Sequence, residues 1–240
     1  MIALRRAEER HHDRNREQEV WLTFFPHDRA SPFASGFGSL EFLDEGRLPP
    51  GGGVTRRPQR DAEIVTFVRE GALAWEGSTE TSGLVQAGEF RRMTVGRGVR
   101  HRETNVSRTD WAHVFQVWLR PAQPDLQPSH EQKRFSLAER RGRLCVVGSP
   151  DGRRGSLIIH QDAVVYSALL EPGTHVVHEL LPGRSAWLHL VEGEVTLGDL
   201  VLTTGDGVGI TAEPAVSATA EERTEILLLD LREPTSEVLP

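Results

Sequence analysis

Residues 51–105 read GGGVTRRPQRDAEIVTFVREGALAWEGSTETSGLVQAGEFRRMTVGRGVRHRETN, and this stretch decides the fold. Runs of apolar residues at Glu63 to Arg69, Ala72 to Trp75 and Gly83 to Gln86 are each closed by Gly or Ser/Thr, the punctuation of short strands joined by tight turns. Strands this short, at this spacing, predict a small β-barrel or sandwich. The stretch ends in His101-Arg102-Glu103, which sets two side chains of ligand type at the mouth of that barrel.

Working outward, residues 21–37 combine Trp21, Phe24, Phe25, Phe33 and Phe37 with Pro26, Pro32 and Gly36, which predicts an irregular loop packed on a sheet. Leu40 to Leu43 reads as a strand, and so do Arg91 to Val95 and His113 to Leu119. The last carries apolar bulk on both faces and is expected to be covered on both sides. The Pro-rich segment PAQPDLQP (residues 121–128) reads as a linker, and the charged piece from Ser129 to Arg143 has modest helical character. A second β-rich series begins at Leu144. Its Leu190-Val191-Glu192-Gly193-Glu194-Val195 echoes Phe67-Val68-Arg69-Glu70-Gly71-Ala72-Leu73, and Thr204-Gly205-Asp206 is a weaker echo of Gln86-Ala87-Gly88-Glu89. Two copies of one barrel unit in tandem follow, an all-β chain with domains expected at 1–135 and 136–240.

Bulk properties narrow the function. The 240 residues suffice for two modest cores. A formal charge of −7 argues against reading nucleic acid through a basic face. No apolar run has membrane-spanning length and the N-terminus lacks the apolar core of a secretory signal, so a cytoplasmic protein is expected. The single cysteine, Cys145, lies in an apolar run and reads as a core thiol. His11 and His12 are neighbours that point in different directions with no third ligand at a suitable spacing, so they read as a solvated pair.

The spacing of Gly51, Glu63 and Gly71, and then of Gly96, His101 and Asn105, is close to the two motifs of cupin barrels. The resemblance then becomes narrower. Gly36-Phe37-Gly38-Ser39-Leu40, Arg60-Asp61-Ala62-Glu63-Ile64-Val65-Thr66-Phe67-Val68-Arg69-Glu70-Gly71, Met93-Thr94-Val95-Gly96-Arg97-Gly98-Val99-Arg100-His101, Ser149-Pro150-Asp151-Gly152 and His160-Gln161-Asp162 make the chain similar to the pirin family. That resemblance implies a bicupin, two tandem cupin (jelly-roll) barrels, and includes bacterial enzymes that cleave the flavonol quercetin. It further implies one metal, usually iron, in the first barrel, held by a His-Pro-His-Arg segment and a later His-x-Glu.

His101 and Glu103 match the later pair, whereas the earlier pair falls on Arg57 and Gln59 of Arg57-Pro58-Gln59-Arg60. A guanidinium has no lone pair to offer a metal, and a Gln carbonyl is a weak ligand. One His and one Glu fall short of the three or four ligands of a stable iron or zinc site. The sequence therefore predicts a metal-free first barrel, with Arg57 turned in to pair with Glu103, in a non-enzymatic protein that binds a small molecule or regulates a partner. The competing reading is a metal-dependent quercetin 2,3-dioxygenase: Glu63 joins His101, Glu103 and Gln59 around one divalent ion, iron by resemblance, and Glu103 also serves as the catalytic base. Arg57, Arg60, Arg92 and Arg100 make a basic cavity mouth suited to an anionic or aromatic ligand, unless they are solvated or paired with Asp61, Glu63, Glu89 and Glu103. Partner-protein regulation is what the resemblance implies; direct nucleic-acid or membrane binding is not expected. In the second unit, His175 and His178 stand three apart on a strand with no later histidine to complete a site, and are assigned a structural role. His113, His130, His160 and His189 read as packed or surface residues, and Trp75, Trp111, Trp118 and Trp187 as core or interface fillers.

Overall fold

The computed structural model describes residues 1–55, 61–77, 82–98 and 101–233. Arg57, Gln59, Arg60 and Arg100 lie outside these, so the expected pairing of Arg57 with Glu103 concerns a residue outside the described set.

The chain forms two β-sandwich barrels, each with one large and one small sheet. The first large sheet runs in the order Ser129–Arg134, Glu89–Thr94, Glu63–Glu70, Ala112–Leu119, Leu40–Leu48, Glu19–Leu22, His11–Arg14. Its small companion is Gly53–Thr55, His101–Asn105, Ala72–Gly77, Ser82–Gln86. The second large sheet runs Ile2–Arg5, Gly207–Ile210, Arg184–Glu192, Thr224–Arg232, Ala163–Leu170, Cys145–Ser149, Leu157–Ile158, facing His175–Glu179, Ala215–Ala220, Glu194–Leu197, Leu200–Thr203.

Two expectations are corrected. The boundary at 135 separates the large sheets except at the N-terminus, where Ile2–Arg5 pairs with Gly207–Ile210 and so belongs to the second barrel. Asp206 fixes this exchange by accepting from the Ala7 amide and the Arg6 guanidinium, each at 2.8 Å. Ser129–Arg134 is a strand on the edge of the first sheet rather than part of a helix, because its backbone pairs with Glu89–Thr94. Only Leu137–Arg140 is helical there, opened by a capping box between Ser136 and Glu139.

The internal echo is structural. Gly71 and Gly193 both adopt left-handed backbone (φ 79° and 95°) at the turn from a large-sheet strand to a small-sheet strand, the conformation that a glycine adopts without a Cβ clash. The large sheets pack face to face through Phe67, Phe90, Phe115 and Val117 of one and Val165, Trp187, Leu227 and Leu229 of the other. This explains the two apolar faces of Ala112–Leu119: one looks into its barrel and the other into the interface. Trp187 is enclosed by Phe24, Phe33 and Phe37 from residues 21–37. Trp111 is 47% exposed and fills neither a core nor the interface. Among the described residues no helix is long and apolar enough to cross a membrane.

Candidate functional site

Side chains alternate across a strand, so Ile64, Thr66 and Val68 face the interior of the first barrel while Val65 and Phe67 face the interface. The barrel interior is not one apolar core. Leu48, Val68, Leu73, Trp75, Val85, Ala112 and Val114 fill one end, and Ala62, Ile64, Met93, Val95 and Trp118 fill the other. Between them lies a polar layer. Asp44, Gln116, Thr66 and Arg91 stand opposite one another on four adjacent strands. They face Glu103, whose strand pairs with Ala72–Gly77 on the small sheet.

Glu103 is 3% exposed and Arg91 is fully buried. Arg91 Nη2 donates to Glu103 Oε1 at 2.7 Å, and Gln116 Nε2 donates to Glu103 Oε2 at 2.7 Å. The guanidinium lies over the Trp75 ring, 4.6 Å from its centroid, a cation–π contact that replaces part of its lost hydration. Burial pushes the Arg91 pKa down from its usual value, opposed by the charge and hydrogen bond of Glu103. His101 is also buried, with Nε2 4.0 Å from the same Glu103 oxygen. A cavity of about 20 Å³, lined in part by Gln18, Asp44, Glu103 and Gln116, adjoins this layer and has room for about one water molecule.

His101 and Glu103 are therefore brought together as their spacing predicts, but Glu63 is not. Glu63 faces the interface, where its Oε2 accepts from the His160 amide at 3.2 Å and lies 3.4 Å from His160 Nδ1. It stands three residues from Thr66 and so on the opposite face of the strand. Arg92 is likewise buried on the far side, donating to Thr94 and Ser129, instead of lining the mouth. Arg91 was missed from the sequence. The signal was present in Phe90-Arg91-Arg92-Met93: two consecutive arginines inside a strand covered on both faces require one of them to point inward.

Glu103 already accepts a guanidinium hydrogen bond, the positions matching the family's two other ligands are Arg57 and Gln59, and among the described residues no three His, Cys, Asp or Glu converge. A divalent ion on Glu103 would share its carboxylate with the Arg91 guanidinium, at the cost of like-charge repulsion.

The second barrel is built differently at the equivalent row. Leu188 stands as far before Gly193 as Thr66 does before Gly71, and its row is Tyr166, Leu228, Leu188 and Val208. A continuous apolar cluster fills that interior. His175 there contacts Thr219 and Ser217, and His178 binds Asp230 at 2.8 Å. On the remaining histidines, His11 stacks on Phe25, His12 on Trp21 and His130 packs edge-on against Trp75.

Two tandem jelly-roll barrels, the first with a buried polar layer at the cupin ligand positions, define a bicupin. The chain belongs to the pirin family. Residues 4–119 match the family model described as Pirin, and residues 146–231 match the Quercetinase C-terminal cupin domain. It is 36% identical over 231 residues to quercetin 2,3-dioxygenase of Escherichia coli K12, covering 96% of this chain and 99% of that one. It is 30% identical over 200 residues to a pirin-like protein of Caulobacter vibrioides, covering 83% and 86%. The crystal structure of bacterial pirin YhhW from Escherichia coli in complex with nickel(II) superposes with a TM-score of 0.89 at 36% identity, covering 98% of this chain and all of that one.

Proposed function

We propose that this chain is a non-enzymatic pirin, in which an internal cation, Arg91, holds the carboxylate that a metal would otherwise take, and which acts through binding a small anionic or aromatic molecule or a partner protein. The observation that carries this reading is the fully buried Arg91–Glu103 hydrogen bond. Both oxygens of Glu103 are engaged, by Arg91 and by Gln116. A carboxylate neutralised in this way by a buried guanidinium is a poorer metal ligand and a weaker base for a substrate hydroxyl. Arg57 and Gln59 support the same reading from the sequence, since neither replaces an imidazole.

The second reading, a metal-dependent quercetin 2,3-dioxygenase, is favoured by the name of the 36% identical relative. One experiment separates them. Protein grown separately with iron, manganese, nickel and zinc is assayed for bound metal, for loss of quercetin absorbance and for oxygen uptake. The proposal expects far less than one metal per chain and no turnover with any ion. One metal per chain, lost in His101→Ala, together with quercetin cleavage, overturns it.

A further inference from the structure

Internal symmetry directs attention to the second barrel. Asp44, at the small cavity beside Glu103, and Tyr166 occupy equivalent places in the two polar-layer rows. Tyr166 also lines a cavity, and this one is about 590 Å³, within the ~300–1,000 Å³ range of small-molecule sites. Beside the apolar filling of the second barrel, this chamber opens to solvent between Cys145–Ser149, Ala163–Leu170 and His175–Glu179.

The lining is chemically one-sided. Leu144, Val146 and Val176 provide apolar walls, and Tyr166 and His178 add rings 4.9 Å apart. The charged lining residues are Arg143, Arg153 and Arg154; the lining also holds His175 and His178 and includes no carboxylate, although Asp230 lies behind His178 at 2.8 Å. Arg154 takes part in no hydrogen bond or ion pair with another described residue and is held in left-handed backbone (φ 55°), where a non-glycine residue is strained. Arg153 hydrogen-bonds Tyr166 on the chamber wall and lies 4.0 Å from the exposed Asp151, so it stands on the wall beside the ring without a close carboxylate partner. Arg143 is fixed at the rim by donating to the Ala138 and Glu139 carbonyls, which leaves its charge uncompensated by them.

We propose that this chamber is a binding site for a small aromatic carboxylate, its ring against the apolar walls and Tyr166, and its carboxylate held by Arg153 and Arg154. Guanidinium groups match the planar carboxylate. The site is separate from the first barrel and does not depend on whether that barrel holds a metal.

The test uses the full-length protein and 2-naphthoate in titration calorimetry, with the neutral 2-naphthalenemethanol as a comparison. Saturable binding at one site per chain is expected, weakened about tenfold or more by Arg153→Ala/Arg154→Ala and by raising salt from low to high concentration. Both arginines are exposed, so the melting temperature of the double variant is expected to stay at the wild-type value. The naphthalenemethanol is expected to bind about tenfold more weakly or worse. Absence of saturable binding, equal affinity for the neutral alcohol, or affinity unchanged by the double variant overturns the proposal. So does binding that survives the double variant but is lost in His101→Ala, which would locate the ligand in the first barrel.

Discussion

Arg91 and Glu103 meet across the interior of the first barrel, Nη2 to Oε1 at 2.7 Å, with neither side chain reaching solvent to any useful extent. The pair joins the large sheet to the small one at the level of His101 and Glu103. Desolvation of two charges offsets much of their attraction, so the pair is worth little net stability relative to an apolar filling of the same volume, yet breaking it strands a charge.

That asymmetry makes a double-mutant cycle informative. Arg91→Met leaves Glu103 with Gln116 as its one donor among the described residues and is expected to cost about 3–5 kcal/mol in urea unfolding. Arg91→Met/Glu103→Leu removes both charges and is expected to cost clearly less than the sum of the single variants. Additive losses would show that the two side chains do not act as a pair.

A second buried ionic cluster lies at the interface between the large sheets. Glu45 accepts from Arg10 and from His113, each at 2.8 Å. Burial pushes the Glu45 pKa up, but the His113 hydrogen bond and the charge and hydrogen bond of Arg10 outweigh it and leave it at about 2 rather than 4.5. His189 is fully buried nearby, and neither ring nitrogen has a hydrogen-bond partner among the described residues. Burial, followed by the Arg10 charge, pushes its pKa down from 6.5 to about 3, against the opposing pull of Glu45 and Asp206. Between these values the unfolded chain binds a proton at His189 that the folded chain does not, so stability falls as pH drops below 6.5, by up to ~1.4 kcal/mol per pH unit. The Glu45 contribution is present above pH 4.5 and is lost as pH falls toward 2. Unfolding free energies measured from pH 7 to 4.5 are expected to lose most of this slope in His189→Leu; an unchanged slope would remove His189 as its source.

The turn glycines make a third prediction. A Cβ on Gly193 would lie 2.4 Å from Thr224 Oγ1 and 2.7 Å from the Arg223 carbonyl, and one on Gly71 3.0 Å from the Ala112 Cα. Both also hold positive φ. Alanine at either position is expected to destabilise by more than about 1 kcal/mol, with the larger loss at Gly193, where three contacts are closer than any real Cβ tolerates. A loss below that at both would mean that the turns can relax.

Much of this architecture was legible in residues 51–105, and the reason is physical. Period-two alternation and Gly-closed turns are local, so the strands Glu63–Glu70, Ala72–Gly77 and Ser82–Gln86, the tandem repeat and the juxtaposition of His101 with Glu103 follow from neighbouring residues. What escaped depends on which face a residue shows and on partners distant in sequence. Glu63 carries a motif position but sits on the interface face, beside His160 of the second barrel. Arg91 carries no motif, and its role exists only because Thr66, Gln116 and Asp44 align with it across the sheet. The pairing of Ser129–Arg134 with Glu89–Thr94 overrode its charged, helix-like composition, and the transfer of Ile2–Arg5 to the second sheet joins strands about two hundred residues apart.

The central claim is that Arg91 keeps Glu103 from metal, and rebuilding the site tests it most directly. Arg57→His/Gln59→His supplies the two missing imidazoles while Arg91 stays; adding Arg91→Gln removes the competing cation but keeps a donor to Glu103. Bound nickel is measured after equilibration and desalting, with circular dichroism to confirm folding. The account predicts far less than one nickel per chain in the wild type and in Arg57→His/Gln59→His, and close to one in the triple variant. A full equivalent of nickel in the wild type, or equal occupancy with and without Arg91, would contradict it.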